Sequence, residues 1–344
     1  MVDGPVATAL VGYGYWGANL ARNIDASPTT RLVGICDSAG ELRTRAATRF
    51  DAIEMWSDFG EMLADPGVAA VVIATPASFH AEMALAAIES GRHVLVEKPL
   101  AMNSADAGAV VKAADEAGVI AMVGHTFLYA RPVERLKSLV DSGELGNIQY
   151  LYSQRLSLSR IRRDCNALWN FAPHDVSIML HLLGQSVSEV SARGHSFIGP
   201  GVDDVCFASL TFENGVAANL HVSWIDPRKT RLMTVVGDEK MVIYNDVSAD
   251  QKLWVVDSGV ARDAELGRYE SVGDFQWRTR SGDIHIPRIE MEEPLLLELG
   301  AFGAACQSGE QPLTDAAHGA EVVSVLEAID ESTRRHGAPV EPIR

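Results

Sequence analysis

At 344 residues the chain is too long for one ordinary hydrophobic core, so two domains are expected. A hydrophobic content of 47% and a charged content of 22% exclude a largely disordered chain and are typical of a globular protein. The 46 acidic and 29 basic side chains give a formal net charge of −17, which repels a polyanion and argues against a nucleic-acid partner.

The four cysteines lie far apart and form no CxxC pair, which argues against both a disulfide framework and a zinc knuckle and favours a reducing cytoplasm. The N-terminal segment lacks a basic stretch and passes at once into an apolar strand, so we expect no signal peptide. The longest nearly apolar run, residues 67–77, is well short of the roughly 20 residues that a membrane helix needs. The expectation is a cytoplasmic protein with no membrane partner.

The first third of the chain alternates short apolar strands with amphipathic helical stretches. The predicted strands cover residues 6–13, 30–37, 67–75, 93–99 and 119–124. The predicted helices between them cover residues 16–26, 39–50, 80–91 and 104–118. Continuous Val, Ile and Ala strands separated by helices indicate a parallel sheet covered on both faces. The sequence therefore predicts an α/β Rossmann domain with a doubly wound parallel sheet over residues 1–125.

From residue 126 the pattern becomes rich in strands. Strand-like segments cover residues 147–159, 187–199, 205–212, 216–225, 232–237 and 240–246. One helix, at about residues 173–183 and ended by Gly184, interrupts them, and helical segments at 294–309 and 316–337 follow. We expect an α+β domain over residues 126–344, built on a large, mostly antiparallel open sheet. Its C-terminal helices could pack back on the first domain.

A glycine motif, Gly12-x-Gly14-x-x-Gly17, stands between the first predicted strand and the first predicted helix. In that context the glycines permit a tight turn, the approach of a pyrophosphate to the backbone, and close packing of the helix on the strand. The pyrophosphate would bind the free N–H groups at the helix N-terminus. Asp37 ends the second strand, where a carboxylate binds the adenosine ribose diol and repels a 2′-phosphate, so NAD is expected rather than NADP. The alternatives are a turn without a ligand and an aspartate that only caps the next helix.

Two charged residues, Glu97 and Lys98, follow a predicted strand and reach the same edge of the sheet as the glycine motif. Pro99 restricts Lys98 to extended backbone geometry. An enzyme that oxidises an alcohol with nicotinamide needs a group to accept the hydroxyl proton, and Lys98 is a candidate for it. Taken alone, a lysine after a strand is more commonly a solvated surface charge.

Three segments together resemble the glucose–fructose oxidoreductase and inositol dehydrogenase (Gfo/Idh/MocA) family. They are the glycine motif, residues 74–101 with their Glu-Lys-Pro sequence, and residues 169–175, "WNFAPHD". The resemblance covers essentially the whole chain. Residues 281–298 and 309–329 are similar to a branch of the family associated with sugar-nucleotide pathways.

The resemblance implies a role for each matched residue. Lys98 would be the principal acid–base group, and His174 would be its partner near the substrate hydroxyl. His80 would line the cofactor. Without the resemblance, the interpretation of His80 is a first-turn helix residue whose ring makes a satisfied hydrogen bond. The full set of cofactor-binding residues so implied is Gly12, Tyr13, Gly14, Tyr15, Trp16, Gly17, Asp37, Thr75, Pro76, His80, Glu97 and Lys98.

Asn170 departs from the family pattern, which has an aspartate four residues before the histidine. An amide can orient the imidazole of His174 but supplies no charge, so Lys98 would carry more of the proton chemistry. A slow enzyme and one that works mainly as a reductase both stay open. The alternative interpretation is a helix start, with Asn170 as the N-cap, Pro173 in the first turn and His174 beside them. A first-turn position would favour the neutral imidazole.

The substrate side is the least determined part of the sequence. Four arginines lie within nine residues of an acidic chain, and guanidinium groups suit a phosphate or carboxylate such as that of a nucleotide sugar. A solvated loop is the alternative. The arginines are Arg155, Arg160, Arg162 and Arg163; further candidates for the substrate pocket are His125, Tyr129, Asn166 and Trp169. His174 and His181 do not have the spacing of a metal site, and no metal is expected.

These observations predict an NAD-dependent oxidoreductase that transfers hydride between nicotinamide and a ring secondary alcohol or ketone of a sugar, nucleotide sugar or cyclitol. One alternative is a non-catalytic NAD(H)-binding sensor whose proton relay has decayed at Asn170. Another is an enzyme that uses bound NAD transiently for glycoside elimination or hydrolysis. An open sheet with one polar-alternating face often becomes a subunit interface, so a homodimer or homotetramer is expected, partly from the resemblance.

Overall fold

The computed structural model describes residues 4–159, 161, 165–260 and 279–343. The chain divides into two compact units. The first comprises Met1–Ala130, Met291–Glu327 and Ile343–Arg344, and the second comprises Arg131–Glu290 and Ala328–Pro342. Within the described residues, no helix is long and apolar enough to cross a membrane.

The first unit is built on a six-stranded parallel sheet. Its strands are β1 (Val6–Val11), β2 (Thr30–Cys36), β3 (Glu54–Trp56), β4 (Ala70–Ile73), β5 (His93–Glu97) and β6 (Ala121–Gly124). Their order across the sheet is β3-β2-β1-β4-β5-β6, with every pair parallel. The order reverses at β1 and β4, which is the position where doubly wound sheets bind their ligands. The predicted fold class is confirmed for this unit.

Helices connect these strands and cover the sheet. They are α1 (Gly17–Ala26), α2 (Gly40–Ala47), α3 (Phe59–Ala64), α4 (His80–Glu89) and α5 (Ser104–Ala117), with α8 (Pro294–Ser308) added from the C-terminal part of the chain. α8 packs on α1, β1 and β2. The core of the unit includes Leu10, Leu20, Ile35 and, from α8, Leu299 and Phe302, all fully buried.

The second unit is built on an eight-stranded, mostly antiparallel sheet. Its strands are β7 (Ile148–Leu158), β8 (Val187–His195), β9 (Val205–Phe212), β10 (Ala217–Ser223), β11 (Ile225–Gly237), β12 (Met241–Asn245), β13 (Leu253–Val260) and β14 (Thr279–His285). Their order is β14-β13-β12-β11-β7-β10-β9-β8, and only the β10–β7 pair among them is parallel. The helices of this part of the chain are α6 (Arg131–Asp141), α7 (Ala167–Leu183) and the end of α9 (Ala316–Arg334). The prediction of a large, mostly antiparallel sheet is confirmed.

Helix α7 begins six residues earlier than predicted. Its N-cap is Asn166, whose side-chain oxygen accepts the backbone N–H of Trp169 at 3.0 Å, and Gly184 in the left-handed conformation ends it. The alternative that Asn170 is the N-cap is therefore wrong, and His174 lies beyond the first turn, where the helix dipole no longer favours the neutral ring. Pro173 is inside the helix and, having no N–H, cannot donate to the carbonyl of Trp169.

Candidate active site

The glycine motif forms the turn from β1 to α1. Gly12 has a φ of +91°, and a β-carbon there would lie 2.7 Å from the carbonyl oxygen of Ala74. A β-carbon at Gly17 would overlap the carbonyl oxygen of Gly12, so the helix can approach the turn only with glycine at this position. Gly14 is different, because no atom of the described residues, other than its own and those of its two chain neighbours, lies within 4 Å of its β-carbon position. The fold requires Gly12 and Gly17, whereas the space at Gly14 is left open for a ligand.

Asp37 lies at the C-terminal end of β2 and is held by two backbone groups. Its Oδ2 accepts the N–H of Tyr13 at 2.7 Å, and its Oδ1 accepts the N–H of Ala39 at 2.8 Å. The first of these bonds joins the carboxylate directly to the glycine turn. A turn with an open glycine and a carboxylate fixed beside it fits the pyrophosphate and ribose of a dinucleotide, as the sequence predicts.

Two arginines of α2, which the sequence analysis did not single out, also lie at this turn. Arg43 Nη1 donates to the carbonyl oxygens of Asp37 at 2.6 Å and Ser38 at 3.0 Å. Arg45 Nη2 donates to the carbonyl of Tyr13 at 2.8 Å, and its guanidinium lies 5.2 Å from the centre of that ring. The sequence signal that could have indicated them is their position six and eight residues after Asp37.

His80 ties two of the matched motifs together. Its Nε2 lies 2.9 Å from the carbonyl oxygen of Thr75, and its Nδ1 lies 2.7 Å from that of Pro99. A neutral imidazole has one N–H and donates to only one of these carbonyls at a time. Burial lowers the pKa of His80. The ring therefore links Thr75 to Pro99, the residue after Lys98. Its role in lining the cofactor stays a prediction.

Glu97 and Lys98 end β5 at the same edge of the sheet. The indole Nε1 of Trp16, in the glycine turn, donates to Glu97 Oε1, and the N–H of Lys98 lies 3.2 Å from Oε2. A β-carbon at Gly124 would lie 3.2 Å from the Glu97 carboxyl carbon, so glycine there gives this side chain its space. Burial raises the pKa of Glu97, against the opposing effect of Lys98. The Trp16–Glu97 contact joins the cofactor turn to the candidate catalytic lysine.

A cluster of buried polar side chains lies next to Glu97 in the same unit. His125 follows β6 and is 1% exposed. Glu298 of α8 is fully buried, and its Oε2 accepts the hydroxyl of Thr126 at 2.8 Å. Burial, followed by the charge of Glu97, raises the pKa of Glu298 well above its usual range. Glu298 is not among the residues predicted from sequence, although it is the one acidic residue in the apolar segment 294–306.

Tyr129, a weak candidate for the substrate pocket, is engaged within the first unit. Its hydroxyl lies 3.2 Å from Oγ1 of Thr314, and burial raises its pKa. It follows His125 in a short 3₁₀ helix formed by Thr126–Tyr129. This position gives the hydroxyl a structural partner.

In the second unit, Asn170 and His174 lie four residues apart on α7 and therefore share one face of the helix. Both side chains are half-buried. Asn166, besides capping the helix, donates from Nδ2 to Asp330 Oδ1 at 3.1 Å, and Trp169 is 7% exposed and packs in the core. These contacts give Asn166 and Trp169 structural positions around the start of α7.

Arg155 points into the interior of the second unit. Its Nε and Nη2 donate to the two carboxylate oxygens of Asp175, at 2.7 and 3.0 Å, and both side chains are about 5% exposed. The guanidinium predicted to bind a substrate anion is therefore engaged in a buried ion pair. Its partner, Asp175, directly follows His174 in the sequence. Arg160, Arg162 and Arg163 lie outside the described residues.

No group of three or more His, Cys, Asp or Glu side chains suited to a metal ion occurs in the part of the chain that the structure describes. The elements of the first unit are those expected of a dinucleotide-dependent oxidoreductase: a glycine turn, a carboxylate held beside it and a Glu-Lys pair at the end of strand β5. Comparison with known proteins agrees with this class. Residues 6–125 match the oxidoreductase family with an NAD-binding Rossmann fold, and residues 133–243 match the GFO/IDH/MocA C-terminal domain. The chain belongs to the GFO/IDH/MocA family of oxidoreductases.

Three similar proteins illustrate the range of this family. The NAD(+)-dependent scyllo-inositol 2-dehydrogenase of Bacillus subtilis is 27% identical over 320 residues, covering 90% of this chain and 88% of its own. UDP-N-acetylglucosamine 3-dehydrogenase from Acidithiobacillus ferrooxidans superposes with a TM-score of 0.80 at 22% identity, covering 97% of this chain and 99% of that one. Levoglucosan dehydrogenase, solved with NADH and L-sorbose, superposes with a TM-score of 0.83 at 23% identity, covering 99% and 100%. At these identities the two structures establish the shared fold.

Proposed function

We propose that the protein is an NAD-dependent dehydrogenase or ketoreductase acting on a ring secondary alcohol or ketone of a sugar, nucleotide sugar or cyclitol. The observation that carries the proposal is the joining of the glycine turn to the Glu97–Lys98 pair through Trp16. That contact links the glycine turn to Glu97, the residue before Lys98, and so supports the proposal. The inositol dehydrogenase that matches most of the chain supports the substrate class.

Lys98 is proposed as the main acid–base group. When bound, NAD supplies the acceptor for the substrate hydride. The amine of Lys98 accepts the hydroxyl proton as the C–H bond breaks, and returns it when the ketone is reduced. His174 is proposed as the partner group and Asn170 as a residue that orients it, since an amide can hydrogen-bond an imidazole but adds no charge.

NAD is proposed as the preferred cofactor. Asp37 is fixed with both oxygens on backbone N–H groups, so its charge stays at the ribose position and opposes a 2′-phosphate. The nearby Arg43 and Arg45 are directed at backbone carbonyls. The specificity constant, kcat/KM, is therefore expected to be higher with NAD than with NADP, and equal values would contradict this assignment of Asp37.

A homo-oligomer that assembles through the outer face of the large sheet is also proposed. Residues exposed on that face include Tyr150, Tyr152, Phe207 and Trp254, each at least 38% exposed, interleaved with small polar residues. Exposed aromatic rings on a flat sheet favour a partner sheet. Tyr152→Glu should lower the mass measured by light scattering, whereas Leu313→Glu, at an exposed site of the first unit, should not. A wild-type monomer would overturn the proposal. Cys36, Cys206 and Cys306 are buried thiols, which supports the proposal of a reducing cytoplasm.

The experiment that tests the function begins with the purified protein. Denaturation and identification of any released dinucleotide would show whether NAD(H) copurifies. NADH formation or consumption would then be followed across UDP-sugars, dTDP-sugars and inositols with their keto forms. Redox turnover of one of these classes is expected. NADH binding without turnover of any of them would favour a sensor, and failure to bind nicotinamide cofactors at all would overturn both.

A further inference from the structure

His125 is a buried histidine whose two ring nitrogens lack hydrogen-bond partners. Both nitrogens are shielded from solvent, and neither has a partner among the residues described by the structure. An unsatisfied buried polar group costs roughly 1–3 kcal/mol, so such groups are rare and call for an explanation. A phenylalanine or leucine would fill the same space without that cost. The imidazole is therefore expected to serve a purpose other than packing.

Two titratable side chains act on His125 from neighbouring elements. The ring of His318, on α9, stands perpendicular to it with centroids 5.4 Å apart. Lys98 directly follows Glu97, the last residue of the adjacent strand β5, which pairs with Gly124 immediately before His125. Burial, followed by His318 and Lys98, lowers the pKa of His125 well below its usual value. The ring is neutral near pH 7, with one N–H and one lone pair.

His318 differs from His125 in its access to solvent. It is only partly buried, whereas His125 is 1% exposed. Two carboxyl groups also lie at this cluster: Glu97 at the end of β5, and Glu298 of α8, which accepts the hydroxyl of Thr126, the residue after His125. The order Lys98, His125, His318 therefore leads from the candidate catalytic amine to the protein surface through side chains of one unit.

We propose that His125 relays protons between Lys98 and His318, and through His318 to solvent. The inference rests on the proposed function of Lys98. On alcohol oxidation the hydroxyl O–H bond breaks and its proton joins the Lys98 amine. The resulting ammonium gives a proton through a water to the lone-pair nitrogen of His125, whose other N–H passes its proton through a second water to His318. One proton reaches solvent for each hydride removed, and reduction runs the path in reverse.

The relay stays within the first unit. Asp175, the next carboxylate after Asn170 on α7, is held by Arg155. Lys98 needs a route for regenerating its protonation state, and His125 offers one from its own unit.

The test uses the holoenzyme with His125→Gln, His318→Gln and a control, His93→Gln. His93 starts β5 at the opposite end from Lys98, and its Nδ1 accepts the N–H of Ile120, a bond that a glutamine oxygen can replace. Melting temperature and NADH fluorescence would establish that each variant folds and binds cofactor. The kcat of the His125 variant should fall about 10-fold or more, below the roughly 10²–10⁴-fold of a direct acid–base group. Its solvent deuterium isotope effect should increase, His318→Gln should show the same change in smaller degree, and His93→Gln should show neither.

A second readout is independent of turnover. Nuclear magnetic resonance titration of the cofactor-free protein should show that His125 stays neutral as the pH is lowered well below 6.5. In Lys98→Met the pKa of His125 should rise, because a nearby positive charge is removed. An unchanged pKa in Lys98→Met, or a folded His125→Gln enzyme with wild-type kcat and isotope effect, would overturn the relay. A wild-type protein that turns over no sugar or cyclitol would instead overturn the proposed function.

Discussion

Arg155 and Asp175 form a two-point ion pair in the interior of the second unit, with N–O distances of 2.7 and 3.0 Å. The pair joins strand β7 to helix α7, and Asp175 directly follows His174. It therefore fixes the turn of α7 that carries His174. The prediction from sequence assigned the guanidinium to a substrate anion, whereas in the structure it serves the helix.

Breaking this pair should be costly. Arg155→Met leaves the buried carboxylate of Asp175 without its counter-charge, and such a loss typically costs about 3–5 kcal/mol. The double variant Arg155→Met/Asp175→Leu removes both charges and should recover most of the free energy of unfolding. Urea denaturation of the three proteins measures both effects. A single variant that loses less than about 1 kcal/mol would show that the pair is not a structural link.

Gly14→Ala should separate folding from cofactor binding. Because no protein atom approaches the β-carbon position, the melting temperature should stay close to that of the wild type. The added methyl group fills the space left for the pyrophosphate, so the dissociation constant of NADH should rise by about 10-fold or more. Gly17→Ala, whose methyl overlaps the Gly12 carbonyl, should lose both stability and binding. Gly108→Ala, in an open position on α5, is the control for both measurements. Unaltered NADH affinity in Gly14→Ala would argue against a dinucleotide at this turn.

Glu298→Gln should stabilise the protein, and more so at higher pH. The pKa of Glu298 is raised in the folded state by burial and by Glu97, so the folded protein binds the proton more tightly than the unfolded chain. The stabilisation that comes from this bound proton is fully present below about pH 4.5, and it is lost as the pH rises through the pKa of Glu298 in the folded protein. Glutamine keeps the hydrogen bond to Thr126 and does not titrate. Thermal melting at pH 5 and pH 8 should show a larger gain at pH 8, and an equal gain at both would contradict the raised pKa.

Asn170→Asp should change the pH dependence of turnover more than it changes folding. A carboxylate one turn before His174 favours the protonated imidazole. The acid limb of the pH–rate profile should therefore move to higher pH, while the half-buried side chain leaves the melting temperature nearly unchanged. The profile of kcat/KM for both enzymes is the measurement. Superimposable profiles would assign Asn170 to the helix alone.

Local sequence patterns were sufficient for the glycine turn. Gly12, Gly17 and Asp37 obey requirements set within about 25 residues of chain, and in the structure Asp37 accepts the N–H of Tyr13 in that turn. The role of these residues and of Gly14 in cofactor binding stays a prediction. The start of α7 was predicted wrongly, because Asn166 and Asn170 are equally good N-caps by type. The structure shows Asn166 accepting the N–H of Trp169 and donating to Asp330, and the residue types do not reveal these contacts.

The remaining features depend on contacts between distant parts of the chain. His125 and His318 are 193 residues apart, and Thr126 and Glu298 are 172 apart, so no local pattern relates them. Arginine is rarely buried, so the residue type alone predicts an exposed side chain for Arg155, whereas the structure buries it. An isolated charge in an apolar helix, such as Glu298, is the kind of signal that could have revealed this buried cluster.

The most direct test of the account is the Lys98→Met enzyme, which keeps a side chain of similar length without an amine. Binding of NADH, followed by fluorescence, should stay within a few-fold of the wild type, since Glu97, Trp16 and the glycine turn are intact. Turnover of the substrate found for the wild type should fall by roughly 10²–10⁴-fold. A Lys98→Met enzyme that binds NADH and retains wild-type turnover would contradict the assignment of Lys98 as the acid–base group.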